Sequence, residues 1–68
     1  MDEETRDALL QRLEELRIEH RDLDESVRVE EARAYVDQLR ITRLKRRKLV
    51  LKDAIARLES LLIPNLNA

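Results

Sequence analysis

The residues of this chain with chemistry to offer are few. The single histidine, His20, stands four residues before Asp24, so on a helix both would share one face. An imidazole and a carboxylate at that spacing can hold one metal ion only if further ligands join them. No second such pair appears, and no cysteine is present to add a thiolate. The bland alternative for His20 is a polar layer inside an apolar seam, which costs stability but fixes register. Two serines, Ser26 and Ser60, supply hydroxyls, but neither shares a heptad position with His20, so no nucleophile has a base beside it. The many carboxylates read as a solvated helix face. The expectation is therefore no catalytic residue, no cofactor, no metal site, no small-molecule substrate and no enzymatic activity.

One cluster remains. Between Arg40 and Lys52 the chain places Arg40, Arg43, Lys45, Arg46, Arg47, Lys48 and Lys52 with no acid among them. Arg40, Arg43 and Arg47 follow at i, i+3 and i+7 and form a stripe that, with Arg46, is the candidate surface for an anionic partner. Nucleic acid would use such a stripe on its phosphates. Against this, the only aromatic residue is Tyr35, so stacking platforms are missing. The whole chain carries a formal charge of −1, not a basic excess. A membrane surface fits less well, because no bulky apolar face lies opposite the bases.

These groups must be positioned by helices. The sequence has 68 residues, 43% of them charged and 43% hydrophobic, with no glycine and one proline. Leu, Arg, Glu, Ala and Lys at these levels are the composition of long helices, while the aromatic residues and turn glycines of a sheet are absent. Leu9, Leu13, Leu16, His20, Leu23 and Val27 recur at alternating spacings of four and three. So do Ile41, Leu44, Lys48, Leu51, Ile55, Leu58 and Leu62. Both runs are a/d heptad seams, each with one polar member, His20 or Lys48. Between them the seam positions are Glu30, Ala34 and Asp37, which cannot hold an apolar seam together. Asp37 is also a good N-cap.

The spacing thus predicts an all-α fold: an antiparallel two-helix coiled-coil hairpin forming one domain over residues 1–68. Helix 1 spans about 3–31, the turn about 32–37 and helix 2 about 38–62. A short tail, 63–68, follows where Pro64 cannot continue a helix. The alternative is one long continuous helix of about 60 residues paired in an antiparallel coiled-coil dimer, since no Gly or Pro marks the break and the heptad register runs through it.

Charge supports the hairpin. Residues 1–31 hold twelve acids and five bases, a net of −7, and residues 32–68 hold three acids and nine bases, a net of +6. Folding back lays one half on the other, with Asp24 expected near Lys45 and Glu19 near Arg47. Apolar residues are left over: Leu49, Ala56 and Ile63 repeat every seven on a second face of helix 2, a candidate face for a homo-oligomer or for a helical protein partner. No apolar run exceeds three residues and the N-terminus is acidic, so no membrane span is expected and the default location is cytoplasmic.

Two blocks carry a family resemblance. Leu16–Arg17–Ile18–Glu19–His20, followed by Leu23–Asp24, gives L-x-x-E-H-x-x-L-D. Leu44 to Asp53 gives L-K-[KR]-[KR]-K-L-x-L-K-D, and Ile63–Pro64 closes the pattern. Over about residues 9 to 64 the chain resembles the YdcH-like family of small bacterial proteins. Members usually carry a short proline-containing connection where this chain has Ala32–Tyr35. The resemblance implies a coiled-coil-like fold and no assigned function. The functional expectation is a non-enzymatic interaction or scaffold protein, the alternative being a nucleic-acid-associated protein that uses the basic stripe of helix 2.

Overall fold

The computed structural model describes residues 1–63. Two helices account for nearly all of them, α1 (Glu3–Glu31) and α2 (Gln38–Leu62), folded back on each other as an all-α helical hairpin. The expected stop at Pro64 and the tail 64–68 lie outside the described residues.

Each helix begins on an aspartate. Asp2 is extended, and its Oδ1 accepts from the Thr5 N–H at 2.7 Å. Glu3 and Glu4 then sit in the first turn, where the helix dipole favours negative charge. Asp37 does the same for α2, its Oδ1 accepting from the Arg40 N–H at 3.0 Å. Such caps satisfy amide donors that have no intrahelical acceptor, each worth about 1 kcal/mol. With Gly and Pro absent from both helices, nothing interrupts them between cap and end.

α1 ends without glycine. Ala32 stays in the right-handed helical region, and its N–H donates to the Arg28 carbonyl at 3.1 Å. The chain then turns through residues 32–37. At the other end Ile63 leaves the helical region, at φ −122° and ψ 83°, and its N–H donates to the Glu59 carbonyl at 2.8 Å. The single continuous helix is therefore not the fold this chain adopts, because the backbone pairing that runs to the Arg33 N–H resumes only at the Asp37 carbonyl.

The seam lies between the helices. Leu13, Leu16, Val27, Ile41, Leu51 and Leu62 are buried. Leu9, His20, Leu23, Leu44, Lys48, Ile55 and Leu58 are half-buried. Two helices cover each other along one stripe only, so the edges of the seam stay open. The register is antiparallel throughout. Arg6 donates to the Leu62 carbonyl at 3.4 Å, Arg17 pairs with Glu59 at 3.0 Å and Lys48 with Asp24 at 2.7 Å. The sequence midpoint of every cross-helix pair falls between residues 33 and 38. The molecule is a rod of about 50 × 24 × 14 Å.

Candidate functional site

Helices that share one stripe leave a furrow on each side of it, and this hairpin has one on either flank of the seam. The first is a groove of about 670 Å³ lined by Arg17, His20 and Asp24 from α1 and by Lys48, Leu49, Lys52, Ile55, Ala56 and Glu59 from α2. The second is a notch of about 340 Å³ near the turn, lined by Leu23, Asp37, Leu39, Arg40, Arg43, Leu44 and Arg47.

In the first groove, His20 and Asp24 do share a face, but Asp24 is engaged. Its Oδ1 accepts from Lys48 Nζ at 2.7 Å and its Oδ2 lies 3.5 Å from Arg28. The Lys48 hydrogen bond, aided by the charges of Lys48, Arg28 and His20, holds the Asp24 carboxyl below its ordinary 3.8. Among the described residues no cluster of three His, Cys, Asp or Glu side chains is placed to hold a metal ion. Ser26 and Ser60 are exposed. Leu49, 62% exposed, and Ala56 stand one above the other along this groove, with Ile55 beside them. Ile63, 38% exposed, continues their heptad row but does not line the groove.

The structure separates the basic stripe. Arg40, Arg43 and Arg47 line the notch together, whereas Arg46 does not. Two of the four are already committed: Arg40 lies 3.3 Å from Glu30, and Arg47 donates to Glu19 at 2.8 Å. Among the described residues Arg43 and Arg46 form no ion pair. The Glu19–Arg47 pair is the one expected from the sequence. The Asp24–Lys45 pair is not formed. Lys48, at the seam edge, takes Asp24, and Lys45 reaches Glu31 at 3.8 Å instead. Lys48, the polar member of its seam, leaves its long stem in the seam and sends its charge to the rim.

The sequence reading missed the role of Glu30. It is 5% exposed, and its Oε2 lies 3.2 Å from Arg33 and 3.3 Å from Arg40. A carboxylate can be buried only with such partners. This one ties the end of α1, the turn and the start of α2 together. The available signal was an acid at a seam position with arginines three and ten residues later. No buried side-chain nitrogen or oxygen among the described residues lacks a partner.

Among known proteins, a family model described as "Protein of unknown function (DUF465)" matches residues 13–59, which include both blocks of the YdcH-like pattern except its closing Ile63–Pro64. No curated protein and no solved structure matches the chain. No helix among the described residues is long and apolar enough to cross a membrane.

Proposed function

The chain belongs to the DUF465 family, whose description assigns no function, and from its surface we propose that it is a non-enzymatic interaction protein acting through helix–helix contacts. Its first partner is a second copy of itself, docked along the groove that Leu49 and Ala56 line. The observation that carries this reading is the exposed heptad row. Leu49 is 62% exposed, Ala56 follows two turns on at about 10.5 Å along the axis, and Ile63 after that. Half of the intramolecular seam is only half-buried. A leucine seated over a small alanine lets a second helix approach closely, and covering the open edge of the seam buries more apolar surface than the hairpin manages alone.

Sedimentation of the parent chain tests it. Mass should rise with concentration from the 8.1 kDa monomer toward a dimer. Replacing Leu49 and Ile63 by glutamate should hold it at the monomer and lower its thermal stability. A parent that stays at 8.1 kDa at every concentration refutes the dimer. A phosphate-tracking role for the basic stripe is the weaker reading, since Glu30 and Glu19 already answer Arg40 and Arg47. A salt-dependent mobility shift with DNA or RNA would revive it.

A further inference from the structure

The notch beside the turn shares no lining residue with the Leu49 groove. Its floor is Leu23, Leu39 and Leu44, and its rim carries Arg40, Arg43 and Arg47. Leu39 is 60% exposed. Arg40 and Arg47 each hold a carboxylate of α1, at 3.3 and 2.8 Å, and Arg43 between them holds none among the described residues. Glu19, Ser26 and Glu30 follow one another at seven and four along one flank of α1. Asp22 and Ser26 are the α1 residues in register with Arg43 on this flank, and among the described residues neither pairs with it. Arg43 thus keeps its guanidinium open beside the leucines of the notch.

We infer that this notch docks an acidic amphipathic helix of another protein, with an apolar side chain on the leucine floor and a carboxylate on Arg43. Charge complementarity selects the occupant. The two flanking arginines show that this rim takes carboxylates, and a guanidinium binds a carboxylate through two parallel N–H donors. A phosphate backbone has no use for three leucines, whereas an amphipathic helix supplies apolar side chains beside its acids. The partner helix carries an acid that reaches Arg43, with an apolar residue one turn away for the leucines.

The test uses the full chain and a fluorescein-labelled three-heptad helical peptide, with Leu at its a and d positions and Glu flanking them. The expected result is saturable binding by anisotropy that weakens about tenfold or more when the peptide's Glu residues become Gln. Arg43→Glu should abolish binding and Arg43→Ala should weaken it about tenfold, with the helical circular dichroism of both variants unchanged. Lys52→Glu, on the other groove, should leave binding as it is. No binding of the Glu peptide, or binding that Arg43→Glu leaves intact, overturns the inference. Tighter binding of a DNA duplex than of the peptide, lost in Arg43→Glu, would make the occupant a nucleic acid and overturn it too. Ever larger self-assemblies that Arg43→Glu abolishes would make the occupant a second copy. Since Leu49 and Ile63 lie outside the notch, the Leu49→Glu/Ile63→Glu monomer should still bind the peptide, which keeps this test separate from that of the dimer.

Discussion

Replacing Glu30 by leucine should stabilise the hairpin. Glu30 occupies a seam position between Val27 and the turn, and its side chain is 7% exposed. A leucine there would contribute roughly 1.5–3 kcal/mol if fully buried. What it removes is an ion triad whose two arginines are 59% and 61% exposed. Each such pair is worth about 0–1 kcal/mol in solvent-screened surroundings, so the loss is at most about 2 kcal/mol. Buried carboxylates exchanged for packed apolar groups are often neutral or stabilising. The balance is a gain on the order of 1 kcal/mol, or a rise in Tm of about 4–8 °C for a domain of this size. The opposite perturbation keeps the acid and removes both partners. Arg33→Met with Arg40→Met leaves a buried carboxylate unanswered and should cost about 1–3 kcal/mol. Thermal melts followed by circular dichroism at one fixed protein concentration measure both. A Glu30→Leu variant less stable than the parent by more than about 1 kcal/mol would refute this balance and make the triad a net source of stability.

Leu13, 2% exposed, is the most deeply packed side chain of the seam, and Leu13→Ala should cost about 2–4 kcal/mol by urea or thermal unfolding. Asp37→Ala removes the cap of α2 and should cost about 1 kcal/mol, whereas Asp37→Asn keeps an acceptor and should cost far less. Asp2, held low chiefly by the Thr5 N–H, and Asp24, held low chiefly by Lys48, both have carboxyl pKa values below 3.8 in the folded chain. Depressed carboxylates stabilise above their unfolded values, so this contribution is complete above about pH 5 and is lost as pH falls through the folded values. The melting temperature should drop below about pH 4, and Asp24→Asn should flatten part of that drop. Combining Asp37→Ala with Glu30→Leu removes both turn devices and extends the apolar seam. At high concentration it should convert part of the population to a straight-helix dimer of about 90 Å, against about 50 Å for the hairpin, visible in small-angle scattering.

The heptad pattern exposed most of this fold, because a two-helix rod has little besides its seam. Leu13, Leu16, Val27, Ile41, Leu51 and Leu62 are at once the periodic residues and the buried ones. Asp37 announced the second helix through its side-chain chemistry, and its bond to the Arg40 N–H is formed. Legibility fell off where side chains are long. Asp24 takes Lys48 instead of Lys45, since a flexible four-carbon stem reaches any of several acids and spacing alone does not choose. Glu30 was legible as polar but not as buried, because its burial depends on Arg33 and Arg40 meeting across a turn that carries no glycine or proline signal. The notch was less legible still. Its arginines formed a stripe in the sequence, yet the leucine floor comes from both helices, and only folding places Leu23 beside Leu39 and Leu44.

The split of charge between the two halves acquires a physical meaning in the fold. Much of the −7 of residues 1–31 is answered by the +6 of residues 32–68 across the seam, through Glu19–Arg47, Asp24–Lys48, Glu30–Arg40 and Glu31–Lys45. Such pairs contribute little stability each, but they favour folding back over a parallel pairing of two straight chains, which would set like charges side by side along the whole rod. What the pairing leaves over is sorted by side. Leu49 and Ala56 flank one furrow, and Arg43 with Leu39 flanks the other. A second copy seated on the Leu49 side leaves the notch open, because the two furrows share no lining residue. A closed dimer built that way has two-fold symmetry and carries two identical notches. Two notches on one rigid body bind a partner that presents two acidic helices more tightly than either notch alone, by the effective concentration of the second site. The self-association proposed for one face thus strengthens the recognition inferred for the other without any contact between them.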